Sequence, residues 1–355
     1  MDSNNSDFDL IKRLTETPGI PGHEENIRVL IHNEVKEFCD EIIVDKLGNL
    51  ICVKKGSKDK PKILLCAHMD TIGFMIKYID SDGFLRIQPV GGIDPRITIG
   101  QPILIFHEEN IVNGVIASKP IHLLEKKERE KVKKIDELHV DIGAKSKEDA
   151  LEIISLGDFG VFNYSCKKLS HSVITSGGLD DRAGCMVLIK TLKELKDVET
   201  PNELYFIFSV QEEIGARGAI TSAFNIDPDI GIVVEVAHGI DVPGLKKDKH
   251  GDISLGKGPA IDMGPNVNPK LFKYIIKKAE NGNISFQLRV HGRATPTDLR
   301  HIQITHTGVS TALISVPLRY MHTTIEVMDL KDINRTVKLL IDVLSKLKKD
   351  INLKL

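Results

Sequence analysis

A chain of 355 residues with 41% apolar residues, 28% charged residues and a formal net charge of −2 has the composition of a soluble globular protein long enough for two domains. The balanced charge excludes a surface built for nucleic acid or an anionic membrane, and no run approaches the roughly 18 apolar residues of a membrane span. Cys39, Cys52, Cys66, Cys166 and Cys185 form no Cys-x-x-Cys pair, and Met-Asp-Ser-Asn-Asn-Ser-Asp at the start lacks the basic and apolar parts of a signal peptide. Reduced thiols and a cytoplasmic location are expected.

The first elements are helical. Phe8 to Thr15 predicts a short helix that stops at Pro18-Gly19-Ile20-Pro21-Gly22, and Glu24 to Phe38 an amphipathic one with Ile27, Leu30, Ile31 and Val35 on one face. Ile42 to Val44 and Leu50 to Val53, joined through Lys46-Leu47-Gly48-Asn49, read as a hairpin. Lys62 to Ala67 is a fully apolar strand that runs into His68-Met69-Asp70. Strands apolar on both faces and alternating with helices mark an α/β sheet, whose ligands bind beyond the carboxyl ends of the strands.

From Gly73 to Tyr164 the pattern changes to short β-like runs broken by Gly and Pro: Phe84 to Val90, Pro102 to Phe106, Ile111 to Ile116, and Phe159 to Phe162. The expected fold is therefore an α/β domain, residues 1–72 and 165–355, with a mixed sheet covered by helices on both faces, and a small β-rich domain, residues 73–164, inserted in it. The charge run Glu125 to Lys134 mixes both signs and reads as a solvated segment, not a nucleic-acid contact.

After the insertion, Ser176-Gly177-Gly178-Leu179-Asp180-Asp181-Arg182-Ala183-Gly184 turns into a helix, Cys185 to Leu195. Asp180 and Asp181 can be ligands there or mere helix caps. Leu204 to Val210 predicts a buried strand leading into Glu212 and Glu213, where an extended backbone would point the two carboxylates in opposite directions. Taken alone, such a pair is an ordinary loop feature. Ile230 to Val236 is a buried strand carrying Glu235, and a carboxylate is almost never buried without a partner. Ala312 to Val316 is a further strand, followed by Pro317-Leu318-Arg319-Tyr320-Met321-His322, and Leu330 to Leu347 predicts an amphipathic closing helix.

Five segments thus end in, or carry, side chains able to bind a metal: His68, Asp180, Glu213, Glu235 and His322. A lone histidine after a strand is more often a structural hydrogen bonder. Its recurrence at strand ends points to one centre, and two imidazoles with three carboxylates suffice for two Zn²⁺ or Co²⁺ ions about 3.5–4 Å apart.

Four stretches carry a resemblance over nearly the whole chain. They are Ala67-His68-Met69-Asp70 with Ile72-Gly73-Phe74, Leu179-Asp180-Asp181-Arg182 with Gly184, Val210-Gln211-Glu212-Glu213 with Gly215 and Arg217-Gly218-Ala219, and Arg319-Tyr320-Met321-His322. With Gly91-Gly92-Ile93-Asp94-Pro95 and Lys119-Pro120-Ile121-His122-Leu123-Leu124 they resemble the M42 family of binuclear metalloaminopeptidases. The resemblance implies that Asp180 bridges two metals, that His68 and Glu235 complete one site, and that Glu213 and His322 complete the other. It further implies Glu212 as general base, Asp70 as the group that holds the His68 imidazole, and a loop near Thr297-Asp298 lining the site. An inserted domain that mediates assembly, with a dodecamer as a family form, is implied as well. Departures stand at Glu235, where most members have Asp, at Thr71, where Glu is usual, and at Arg293-Ala294-Thr295-Pro296-Thr297-Asp298, where glycines are usual.

The resulting expectation is a co-catalytic metalloaminopeptidase that removes N-terminal residues from peptides, using a metal-bridged water and Glu212 as base. A non-catalytic metal-binding assembly protein would not need Glu212. A glycoside hydrolase, the other rival, would use two carboxylates without paired histidines and would want more aromatic residues for sugar stacking.

Overall fold

The computed structural model describes residues 3–56, 61–347 and 351–355. The chain opens with helices Ser3–Glu16 and Glu25–Val35, then strands β1 (Glu41–Val44), β2 (Leu50–Lys54) and β3 (Lys62–His68). The Asp45 carboxylate accepts from the N–H groups of Leu47, Gly48 and Asn49 and so closes the hairpin that pairs β1 with β2 antiparallel. Six strands follow: β4 (Gly73–Ile79), β5 (Leu85–Val90), β6 (Pro102–His107), β7 (Asn110–Ala117), β8 (His139–Asp141) and β9 (Phe159–Phe162). They close into a barrel in the order β4-β5-β8-β7-β6-β9, filled by Phe74, Ile76, Ile87, Ile103, Ile105 and Phe162. The Glu125–Lys134 run lies exposed along nearly its whole length.

The remaining strands are β10 (Lys167–Lys168), β11 (Val173–Ser176), β12 (Glu203–Ser209), β13 (Ile230–His238), β14 (Ala260–Met263), β15 (Gln287–Val290), β16 (Ser310–Arg319) and β17 (Glu326–Asp329). With β1 to β3 they form one mixed sheet in the order β1-β2-β12-β3-β13-β16-β17-β11-β10, and β14 and β15 join it beside β16. Its centre is four parallel strands, β12, β3, β13 and β16. Their registers set Ser209 beside His68 and Glu235 beside Ser315, so their carboxyl ends open on one edge.

Alternation along β3 sends Ile63, Leu65 and Ala67 to one face and Leu64 and Cys66 to the other. The first face packs on helices Ser3–Glu16, Glu25–Val35, Leu179–Glu194 and Leu330–Leu344, the second on Arg217–Ile226 and the short helix Leu299–Ile302. Both faces are thus removed from water, at roughly 1.5–3 kcal/mol of stabilisation per buried Leu, Ile or Val. This is why these strands are unbroken apolar runs. The fold is the mixed α/β sheet with helices on both faces that the sequence predicts, and the β-rich stretch closes into a barrel.

Short or half-exposed strands escaped prediction. β15, for example, alternates between partly buried and exposed positions and has no apolar run. Helix Pro269–Asn281 escaped too, although Asn268 caps it by accepting from the N–H of Lys270 and Leu271, with Pro269 in the first turn. Among the described residues no helix is long and apolar enough to cross a membrane.

Helix Arg217–Ile226 starts against β12 at a close approach. A methyl added to Gly218 would lie 2.2 Å from Asn49 Oδ1 and 2.5 Å from the Val210 carbonyl. Asn49 itself ties the two segments, accepting from Val210 N–H and donating to the Gly218 carbonyl, each at 3.0 Å. Gly218→Ala is expected to cost about 1–3 kcal/mol through this overlap, seen as a lower urea midpoint at unchanged slope. An unaltered midpoint would mean that the helix can slide aside freely.

Candidate metal centre and its cavity

His68, the last residue of β3, is 2% exposed. Its Nδ1 lies 3.0 Å from the Asp70 carbonyl, so a proton held there leaves the Nε2 lone pair free. Nε2 faces Asp180 Oδ1 at 3.2 Å and Glu235 Oε1 at 3.7 Å. The Asp70 carboxylate is farther away, at 3.6 Å. Asp70 thus meets the imidazole most closely through its carbonyl, while its carboxylate is mainly engaged elsewhere.

It is occupied by the Glu212-Glu213 turn. β12 ends at Ser209 and Gln211 takes a φ of 58°, so the two glutamates sit on a turn and not on the extended backbone expected. Asp70, fully buried, accepts from Glu212 N–H through one oxygen and from Glu213 N–H through the other, both at 3.0 Å. The aim of the two side chains comes from this clamp.

Asp180 and Asp181 take different parts. Asp181 accepts from the Gly184 N–H at 3.1 Å and from the His68 N–H at 3.3 Å, so it caps the helix. Asp180 points one oxygen to His68 and the other to His322 Nε2, at 3.2 Å and 3.3 Å. His322 also lies 3.4 Å from Glu213 Oε1, and its Nδ1 is 2.9 Å from the carbonyl of Gly92, just beyond β5. Both imidazoles therefore have a backbone carbonyl behind Nδ1 and carboxylates in front of Nε2.

Glu326 was not anticipated. It is 1% exposed and accepts from the N–H groups of Leu179 (2.7 Å), Asp180 (3.2 Å) and His322 (2.8 Å). The signal was present in Glu326-Val327-Met328, a carboxylate opening an apolar strand, which is the argument applied to Glu235. Asp298 is also buried and accepts from Ser209 Oγ at 2.7 Å and Cys66 Sγ at 3.3 Å, while Pro296 and Thr297 line the cavity.

Negative charge dominates here. Burial, reinforced by the carboxylates of Asp298, Glu213 and Asp180, pushes Glu212 up to about 8 against the pull of His68. Burial alone would lower His322, but Asp180 and Glu213 raise it to about 11. Four carboxylates, Asp180, Glu212, Glu213 and Glu235, line one cavity of about 410 Å³ with two facing imidazoles, His68 and His322. His68, Asp180 and Glu213, and likewise His68, Asp181 and Glu235, each have donor atoms within 4.8 Å of one another. The excess carboxylate that raises His322 toward a proton would equally attract a metal cation, and carboxylates with imidazole nitrogens are a donor set that fits divalent cations. A larger depression of about 820 Å³, walled by Leu47, Ile220, Phe224 and Ile304, lies elsewhere and contains no such set among the described residues.

A family model described as M42 glutamyl aminopeptidase matches residues 48–339. A lysyl aminopeptidase of Pyrococcus furiosus is 39% identical over 348 residues, 96% of this chain and 98% of that protein. Among solved structures, an aminopeptidase from the archaeon Desulfurococcus kamchatkensis superimposes with a TM-score of 0.92 at 35% identity, covering 98% of this chain and 97% of that one. The TET1 peptidase of Pyrococcus horikoshii, described as assembling into a tetrahedron or a large octahedral shell, gives 0.86 at 34% identity, over 96% of this chain and 100% of that one.

Truncating Glu326 would orphan buried N–H groups on two of the segments that carry candidate ligands. Glu326→Ala is expected to destabilise the protein by at least about 2 kcal/mol and lower its melting temperature, with Glu326→Gln intermediate. Equal melting temperatures for all three proteins would remove Glu326 as a tether.

Proposed function

The chain belongs to the M42 peptidase family and is an aminopeptidase, and we propose that it works with two divalent cations, zinc or cobalt, and Glu212 as proton carrier. The observation that carries this reading is Asp180, whose two oxygens face two different imidazoles. Asp180 would bridge the ions, His68 and Glu235 would complete one site, and Glu213 and His322 the other. Once bound, such ions supply Lewis acidity to the scissile carbonyl and lower the pKa of the attacking water.

The residues of the chain divide the remaining work. Glu212 lines the cavity beside the proposed ligands, where it takes the proton of the attacking water and returns it to the leaving amine. Asp70 does not touch the reacting atoms in this reading; it positions Glu212 and Glu213 through their amides. The carbonyls of Asp70 and Gly92 hold the two imidazoles with Nε2 presented. Peptides are the substrates. The family description names glutamate and the Pyrococcus furiosus relative lysine, so similarity leaves the preferred residue open.

The barrel, residues 73–164, is proposed as an inserted domain that joins copies of the chain. Exposed Ile99, Ile111, Val115, Ile121, Leu123 and Val132, all on this one small unit, are apolar side chains that such a contact would cover. The described assembly of the TET1 peptidase supports it further.

Glu212→Gln is expected to lower turnover of aminoacyl anilides by about 10²–10⁴-fold while two metals per chain remain bound by plasma mass spectrometry. Near-normal turnover would remove Glu212 from the mechanism, and cleavage of a soluble glucan in place of anilides would sink the peptidase reading. Mass photometry should find an oligomer at nanomolar to micromolar concentration, dissociated by Ile121→Asp with Leu123→Asp; a monomeric parent protein would refute the assembly role.

A further inference from the structure

Beside the proposed ligands, the cavity is lined by residues from β13 and β15 that the reading above leaves without a role. Arg289 in β15, His291 just beyond it and His238 at the end of β13 line the same 410 Å³ space as Glu212 and Glu213. Behind them Asp262 of β14 is fully buried. Its carboxylate accepts from Arg289 Nε, from His291 Nε2 at 2.5 Å and from Ser315 Oγ at 2.9 Å. Arg289 Nη2 donates to Ser315 Oγ at 3.1 Å. These bonds pin one edge of the guanidinium plane. The other terminal nitrogen, Nη1, donates to no residue among those described.

A guanidinium fixed from behind by a buried carboxylate, and open in front to a cavity, is an anion receptor whose ordering cost is met before the ligand arrives. The rest of the lining strengthens the sign. Every carboxylate on the cavity, Asp180, Glu212, Glu213 and Glu235, belongs to the ions or the base in the reading above. A cationic side chain brought to Arg289 would meet like charge and no unassigned carboxylate, whereas an anionic one would meet a free donor. His238 adds no second charge at neutral pH, because burial and the Arg289 charge lower its pKa.

We propose that Arg289, held by Asp262 and flanked by His291, binds a carboxylate of the peptide substrate and so sets the enzyme's preference. That carboxylate is carried by the side chain of an N-terminal Glu or Asp, or by the C-terminus of a dipeptide. The inference rests on the aminopeptidase reading of the same cavity.

The test compares kcat/KM of the metal-loaded protein on glutamyl, glutaminyl, leucyl and lysyl p-nitroanilides, and on Ala-Ala against Ala-Ala amide. The first set reports the side chain, the second the C-terminus. One of the two contrasts should favour the carboxylate by about 10- to 100-fold, the range for a charge-assisted hydrogen bond in a confined site. Arg289→Gln should bring that ratio to about one, and Arg289→Lys, which keeps the charge without the fork and tests the idea if the Gln variant does not fold, should leave it in between. Equal rates within both contrasts, or a ratio unmoved by either variant, would overturn the proposal while leaving an active aminopeptidase. Calorimetric titration with glutamic acid α-amide against glutaminamide separates the two failures, since binding needs no turnover. If no anilide or dipeptide is cleaved, the catalytic reading fails. The receptor then stands only on Arg289-dependent binding of the acid over the amide.

Discussion

Buried carboxylates that accept backbone N–H groups are the constraint on which the site depends. Asp70 clamps the amides of Glu212 and Glu213, and Glu326 clamps those of Leu179, Asp180 and His322. An uncompensated charge in such positions costs several kcal/mol, so the chain around each must fold to supply donors. The donors in turn hold loops whose backbone is otherwise unfavourable. Gln211, Tyr320 and His322 all take positive φ, at roughly 1–2 kcal/mol each for a residue with a side chain. The clamps offset that cost, and the geometry of the candidate ligands is the result.

The same economy applies to the imidazoles. His68 and His322 lie far apart in sequence, yet each sets Nδ1 against a carbonyl and turns Nε2 to Asp180. One carbonyl, that of Asp70, belongs to the sheet edge; the other, that of Gly92, leaves the barrel after β5. Removal or displacement of the barrel would therefore alter the tautomer and direction of His322. Orientation of this candidate ligand at the sheet is in this sense a property of both parts of the fold.

Charge is divided across the cavity in a comparable way. Carboxylates crowd one side, where burial and mutual repulsion push Glu212 upward and divalent charge would relieve them. Elsewhere on the lining a single buried carboxylate, Asp262, holds Arg289 and His291 in place. On the proposed reading a substrate in the cavity would meet divalent charge held by the carboxylates and the guanidinium of Arg289.

Periodicity and composition by themselves determined the α/β architecture. β3, β12, β13 and β16 are buried on both faces, so each is a continuous apolar run, and the chemistry must follow their carboxyl ends. His68, Glu213 and His322 stand out as candidate ligands for that reason, Glu235 for its apolar neighbours and Asp180 for its place where the chain turns into a helix. Tertiary structure alone decided which carboxylate of a pair does what. Asp180 and Asp181 are adjacent and chemically identical, and only the positions of His68, His322 and the Gly184 amide assign one to the imidazoles and the other to the helix cap. Glu212 and Glu213 are aimed by Asp70 through a turn, not by strand alternation, because a hydrogen bond between residues 142 positions apart overrides the local period. The Asp262, Arg289 and His291 group was not read from the sequence: its members come from a four-residue buried strand, a four-residue half-exposed strand and the residue just beyond it, whose pairing is fixed only by the sheet they join.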